Sequence, residues 1–449
     1  MRLFGTNGIR GVVGQDLTLE LAVDVGRAIA TLWGPVTVAF GRDTRRSGPM
    51  IRAAVLSGLL ACGARAIDLG ILPTPALQYY VKERKLSGGV VVTASHNPPE
   101  WNGIKVVDGQ GMEIPRAEEE KVEALVESRA FATPSWREFG DVSVATDGAD
   151  MYVRGIAAKV DRAAIATRRP HVVVDPGHGA ACGTTPFLLR DLGCRVTTIH
   201  AQPDGTFPGR RPEPTSANLE DLRTLVPSLG ADVGIAHDGD ADRAAVIDER
   251  GQFVDGDRLL ALLAQEAVRR TPGLVVTPVS SSSCVEDVVR AGGGRVKYTK
   301  VGAPLVARAI YAEGAVFGGE ENGGMIFPEH LFARDGGMTA ARIVELLAVR
   351  GKPLSEMLAL MPRYHLRKAG VPCPGDRRES VLARLAELAA GRRVDLTDGV
   401  KVYGEGGWVL LRPSGTEAIL RIYAEGRTPE QADAMRALGE SLVREALSE

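Results

Sequence analysis

The chain has 449 residues, 44% of them hydrophobic and 24% charged, with a formal net charge of −2 at pH 7. That is the profile of an ordinary globular protein, too long for one domain at about 150 residues each, and it lacks the cationic surplus of a nucleic-acid binder. There is no apolar run of about 18 residues to span a membrane, no secretory apolar segment near Met1, and no Cys-x-x-Cys pair among five scattered cysteines, so a reducing cytoplasm without disulfide or zinc is expected.

The first clear unit is a strand at Val36 to Phe40 that ends in the turn Gly41-Arg42-Asp43, a helix from Pro49 to Ala61, and a second strand from Ala64 to Leu69. That order is βαβ patterning and predicts a largely parallel sheet. Val90 to Thr93 adds a strand and leads into Thr93-Ala94-Ser95-His96-Asn97-Pro98. Ser95 is thus expected on a tight loop at the carboxyl end of a strand, where open α/β sheets bind ligands. Asn97-Pro98 alone is a common turn pair. Neighbours in an extended loop point opposite ways, and no Gly-x-Ser-x-Gly elbow surrounds Ser95, so a Ser/His hydrolytic pair is disfavoured.

A polar, poorly periodic stretch near Asp141 to Asp150 separates the next unit. There His171 to Val174 precedes Asp175-Pro176-Gly177-His178-Gly179, followed by a helix from Thr185 to Leu192 and a strand from Cys194 to Ile199. Pro203 to Gly209 reads as an ordered loop. The strand Val233 to Ala236 then delivers Asp238, Asp240 and Asp242, whose period of two puts three carboxylates on one side of an extended backbone. Three such groups repel without a cation, and hard oxygen ligands suit Mg²⁺. An EF-hand is excluded because Arg243 fills the glycine position and Ala244 to Ile247 reads as a strand.

The pattern restarts near Gly256, with a strand at Gly273 to Val276 and a helix at Ser283 to Ala291. The strand-like Ala315 to Phe317 runs into Gly318-Gly319-Glu320-Glu321-Asn322-Gly323-Gly324, where Glu320 and Asn322 offer partners for two sugar hydroxyls. From Tyr364 the plan changes to α+β: a helix at Arg378 to Ala390, short strands around Trp408 to Leu411 and Leu420 to Ala424, and a closing helix from Pro429. Between the strands lies Arg412-Pro413-Ser414-Gly415-Thr416-Glu417, an arginine fork beside hydroxyls and loop N–H groups suited to phosphate, with Arg421 as a second cation. The expected domains are 1–150, 151–253, 254–363 and 364–449: three similar α/β units with mixed, largely parallel sheets, plus a smaller C-terminal α+β domain.

The six residues Thr93 to Pro98 and the loop Asp238-Gly239-Asp240-Ala241-Asp242-Arg243 resemble the phosphoserine and metal loops of the α-D-phosphohexomutases. Arg412 to Glu417 matches that family's phosphate loop. Phe4 to Gly11 resembles its opening motif, with Asn7 where the phosphoglucosamine mutases have aspartate, and Asn102-Gly103-Ile104-Lys105 matches a further segment. Glu320 to Gly324 is similar to its Gly-Glu-x-Ser-Gly-His sugar loop, with Asn322 for serine and Gly324 for histidine; Ala303 also stands where some members carry a polar residue.

The resemblance covers essentially the whole chain. It implies that the four domains surround a central cleft, that Ser95 carries a phosphate, that Mg²⁺ is held by Asp238, Asp240, Asp242 and Ser95, and that Lys105, Arg10 and Arg243 serve the transfer. Glu320, Asn322, Arg412, Ser414, Gly415, Thr416 and Arg421 would bind substrate. The implied reaction exchanges the 1- and 6-phosphates of a hexose through a 1,6-bisphosphate, with glucosamine phosphate favoured by the opening motif. A bispecific phosphomannomutase/phosphoglucomutase, a Mg²⁺-dependent sugar phosphatase and a non-catalytic relative are the alternatives, the last opposed by the intact motif set. The expected partner is a phosphosugar and its bisphosphate, with neither nucleic acid nor membrane, and a homodimer is admitted.

Overall fold

The computed structural model describes residues 2–5, 7–413 and 418–448. In the first unit six strands lie in the order Ile9–Val12, Trp101–Asp108, Gly88–Val92, Thr37–Arg42, Arg65–Ile71 and Val142–Val144. The last four run parallel to one another, and the first two pair antiparallel with their neighbours. Gly88–Val92 is buried along its whole length, as a central strand covered on both faces must be. Helices Leu19–Trp33 and Gly48–Ala61 cross tightly in this unit. A Cβ on Gly26 would lie 2.2 Å from the Val55 carbonyl oxygen, and one on Gly58 2.2 Å from that of Val23. The two backbones therefore touch, and only glycine fits at either point.

The second unit orders its strands Ala244–Asp248, Val233–His237, His171–Asp175 and Arg195–Thr198. The third orders them Arg295–Thr299, Leu274–Pro278, Phe317–Gly319 and Met325–Ile326. Each is parallel except for one antiparallel edge strand. One apolar core runs through all three units, from Leu77 and Val81 across Val174 and Ile235 to Leu260 and Val344.

The fourth unit is a five-stranded antiparallel sheet in the order His365–Pro372, Ile419–Gly426, Gly407–Pro413, Val400–Gly404 and Val394–Asp395. It packs its own core, including Val402, Val409 and Ile422, under the helix Pro429–Leu447. Thr428 and Gln431 form a reciprocal capping box at that helix's start, which satisfies two backbone donors that would otherwise be orphaned. The fourth unit docks on the third through Lys401, whose Nζ donates to the Val279 carbonyl at 2.7 Å and lies 3.8 Å from the Trp408 ring centroid.

Two sequence expectations need correction. The stretch 141–150, polar and poorly periodic in sequence, carries regular structure: Val142–Val144 extends the first sheet, parallel to Arg65–Ile71, and a helix begins at Gly148. All three of those strand residues are exposed, so no burial alternation marks them. The helix Gly336–Arg350 lies where no element was assigned. It buries every residue from Gly336 to Leu347, and without a polar face it shows no 3.6-residue stripe. All five cysteines are free and buried, and no helix among the described residues is long and apolar enough to cross a membrane.

Candidate active site

Three strands end at one place. Gly88–Val92 delivers Ser95, Val233–His237 delivers Asp238, and Phe317–Gly319 delivers Glu320. Ser95 is wholly buried and takes the left-handed conformation, φ +53°, a strained choice for a residue with a Cβ. Its Oγ donates to Asp238 Oδ2 at 2.7 Å. The left-handed turn also brings Oγ within 3.4 Å of His96 Nδ1, so these neighbours do not point apart as an extended loop would have them. Burial, with Arg243 and Arg10 nearby, pushes the His96 imidazole down to about 3, which makes it a feeble base for the serine.

Arg45, which sequence reasoning missed, is what holds this loop. Its side chain is fully buried. Nη2 donates to the carbonyls of Ser95 and Asn97 at 2.9 and 2.6 Å, and Nη1 to those of Pro98 and Trp101 at 2.5 and 2.9 Å. Nε pairs with Asp43 Oδ2 at 3.0 Å, an oxygen that also accepts from Thr93 Oγ1. The loop of the second unit that begins at Pro203 packs on this arginine: Gly205 bridges Arg45 and Phe207 lies under its guanidinium. Arg45→Met should lower unfolding free energy by about 3–5 kcal/mol, because Asp43 is left buried and unpaired. Urea titration measures it; a loss under about 1 kcal/mol would show that the loop holds itself.

The three aspartates converge as their spacing predicted: one oxygen of each lies within 4.8 Å of the others, all buried. Each carboxylate divides its work. Asp240 Oδ2 accepts from Lys105 Nζ and Thr74 Oγ1, both at 2.6 Å, and Asp242 Oδ2 accepts from Lys105 at 3.0 Å and Arg334 at 2.5 Å. The opposite oxygens, Asp240 Oδ1 and Asp242 Oδ1, are buried without a hydrogen-bond donor among the described residues. Buried carboxylate oxygens without donors are costly, and a hard cation satisfies them, so the donor set fits a metal ion. Burial, then Asp242 and Asp240, push the Asp238 carboxyl up to about 7. Burial works to lower the Lys105 ammonium, but Asp240 and Asp242 outweigh it and raise it.

Arg10 donates from Nη1 to Asn97 Oδ1 at 2.9 Å and so touches the serine loop. Arg243 lies beside Asp242, with Nε 3.9 Å from its Oδ1, and its backbone N–H donates to Asp238 Oδ1. Glu320 is 4% exposed and faces Arg334 Nη1 at 3.4 Å. Asn322 is exposed, and its Oδ1 accepts from the Gly324 N–H. Arg412 pairs through Nε with Asp398 at 3.0 Å, and Asp398 also accepts from the Val301 N–H, which joins the last domain to the 300–304 loop. Arg421 is the register partner of Arg412 on the adjoining strand. Ser414, Gly415 and Thr416 lie outside the described residues.

A cavity of about 280 Å³ opens beside Arg243 and Asn322, with Glu213, Asp257, Glu321 and Lys368 among its walls. Lys368, Thr74 and Arg334, like Arg45, carry no local sequence signal. Each reaches the site from a segment distant in the chain, and a short motif cannot display such contacts.

Family models for the phosphoglucomutase/phosphomannomutase alpha/beta/alpha domains I, II and III match residues 1–133, 150–251 and 255–364, and the model for the C-terminal domain matches 371–438. The chain is 45% identical to a phosphoglucomutase/phosphomannomutase of Thermococcus kodakarensis, covering 99% of both chains. It is 43% identical to a probable phosphoglucosamine mutase of Methanopyrus kandleri, over 100% of this chain and 99% of the other. A solved phosphoglucomutase/phosphomannomutase family protein from Burkholderia thailandensis superposes with a TM-score of 0.88 at 29% identity, covering 99% of this chain and 97% of that one.

Proposed function

The chain belongs to the phosphoglucomutase/phosphomannomutase family, and we propose that this phosphohexomutase acts by preference on glucosamine phosphate, with Ser95 as its phosphate carrier. The observation that carries the mechanism is the hydrogen bond of Ser95 Oγ to Asp238 at the centre of the aspartate cluster. Phosphate leaves Ser95 for the free hydroxyl of a monophosphosugar: the serine P–O bond breaks, a sugar P–O bond forms, and the hydroxyl proton ends on the freed serine oxygen. The resulting 1,6-bisphosphate turns over and returns its other phosphate to Ser95.

Asp238, Asp240 and Asp242 hold Mg²⁺, which when bound supplies Lewis-acid neutralisation of the phosphoryl charge. Lys105 keeps its proton between Asp240 and Asp242 and serves the transfer as a cation. Arg10 and Arg243 flank the same phosphate, Glu320 and Asn322 orient the hexose, and Arg412 with Ser414, Gly415, Thr416 and Arg421 grips the phosphate that is not reacting. Five unpaired cysteines support a cytoplasmic setting.

Two findings support an amino sugar. The names of relatives include phosphoglucosamine mutase. The cavity beside Asn322 also sets the carboxylates of Glu213, Asp255 and Glu321 against two cations, Arg243 and Lys368, while burial and Glu321 hold the Asp257 carboxyl well above its usual range, and a surplus of negative charge suits the protonated amine of glucosamine. Turnover of glucosamine, mannose and glucose phosphates measured in parallel tests the preference, and equal rates on all three would remove it. Inorganic phosphate released at the rate of substrate loss would instead identify a phosphatase.

Arg412→Ala should raise the KM for monophosphosugars by about one to two decades, the loss of a charge-assisted hydrogen bond, while leaving Ser95 phosphorylation unchanged. Leakage of the bisphosphate should rise with it, because the same grip serves both ends of the intermediate. Wild-type values for both would show that this arginine does not hold substrate.

A further inference from the structure

Gly324 stands where the sugar-loop pattern has a histidine, and a side chain from elsewhere fills its place. A Cβ on Gly324 would lie 2.2 Å from Cδ and 3.0 Å from Cγ of Arg334. The stem of Arg334 thus runs through the volume that any residue at 324 would need. Its backbone is pinned to the strand that leaves the loop: Arg334 bridges Ile326, and the Asp335 N–H donates to the Met325 carbonyl at 2.9 Å. The guanidinium is 5% exposed and spans two loops. Nη2 donates to Asp242 Oδ2 at 2.5 Å and Nη1 to Glu320 Oε2 at 3.4 Å. Nε is buried with no hydrogen-bond partner among the described residues.

We propose that Arg334, through the gap left by Gly324, is the positioning residue that ties the sugar loop to the aspartate loop. It fixes the Glu320 carboxylate relative to Asp242, so that a hexose held at one is registered against the phosphate handled at the other. A planar fork with donors on separate nitrogens does this; the single point charge of lysine reaches one carboxylate at a time. The tie does not compete with a cation, because it joins Asp242 Oδ2 and leaves Oδ1 without a hydrogen bond among the described residues. The inference rests on the hexose-phosphate reading given above.

Four variants test it: Gly324→Ala, Arg334→Met, Arg334→Lys and the double Gly324→Ala/Arg334→Met. Their readouts are KM and kcat for glucosamine 6-phosphate, calorimetric binding of that compound in excess chelator, and the melting temperature. Gly324→Ala leaves every charge in place yet pushes the arginine stem aside. It should raise KM about fivefold or more and weaken metal-free binding to match, with a melting temperature near wild type. Arg334→Met should do the same and also lower kcat. The double variant should be no worse than Arg334→Met alone, since the tie that the alanine methyl disturbs is then already gone. Arg334→Lys should regain part of kcat and little of the binding, a split that a merely structural arginine would not give.

Losses that multiply in the double variant would overturn the proposal, as would wild-type binding in Arg334→Met. Should Arg334→Met fail to fold, wild-type KM and metal-free binding in both Gly324→Ala and Arg334→Lys overturn it equally. A wild-type protein that interconverts no hexose phosphate refutes the functional reading instead, and the metal-free binding comparison still decides the role of Arg334.

Discussion

Ser95→Ala should abolish turnover, lowering kcat by at least about 10⁴-fold, on the scale of losing a nucleophile, while the protein melts within a few degrees of wild type. The structure separates these two outcomes. The loop is held through backbone carbonyls, with the Ser95 and Asn97 oxygens on Arg45 Nη2. Alanine keeps all of those contacts. What it deletes is the one hydroxyl lying on Asp238, and no other hydroxyl of the loop stands there: Thr93 Oγ1 is already committed to Asp43. A coupled isomerase assay and intact-protein mass, which shows whether the phosphoryl increment is gone, are the measurements. Turnover near that of the wild type would sink the phosphoserine mechanism.

Asp240→Asn should slow turnover by about 10³-fold, the equivalent of several kcal/mol of charge stabilisation at the transition state, and shift the Mg²⁺ concentration for half activity upward. Charge is half of the reason. Asp240 Oδ2 sits 2.6 Å from the Lys105 ammonium, which can only donate. The asparagine amide must therefore turn its oxygen toward Lys105, which leaves its NH₂ in place of Oδ1, the buried oxygen that has no hydrogen-bond donor among the described residues. A donor then points at the place a cation would occupy. Activity titrated with Mg²⁺, together with Mn²⁺ binding followed by magnetic resonance, reads both effects. An unchanged cation requirement would reduce the triad to a buried acidic turn.

The parts of this site that could be read from the sequence are those whose chemistry is contiguous. Asp238, Asp240 and Asp242 announce themselves by spacing, and Ser95 by the loop around it. Lys105 was reached only through a resemblance, and its pairing with Asp240 and Asp242, 135 and 137 residues away, was not visible at all. Arg45 occurs in an unremarked turn, since four hydrogen bonds to another loop leave no trace in local composition. The fold was legible in proportion to its periodicity. The helix Ser283–Ala291, with Cys284, Val285, Val288 and Val289 on its buried side, was read to the residue. The strand Val142–Val144, exposed throughout, passed for a break. Gly324 shows the same limit from the other side: a missing side chain is plain in the sequence, while the arginine ten residues on that occupies its space is not.

The five buried thiols give the molecule a built-in set of clocks. Cys62 belongs to the first unit, Cys182 and Cys194 to the second, Cys284 to the third and Cys373 to the fourth. Burial pushes the thiols of Cys182, Cys194 and Cys284 up to about 12, so in the folded state almost no thiolate is present to react with an alkylating reagent. Modification of a given cysteine must wait for its own surroundings to open. The order in which the labels appear, read by peptide mass, would therefore time the loosening of each domain separately, in the native sequence and with no probe introduced.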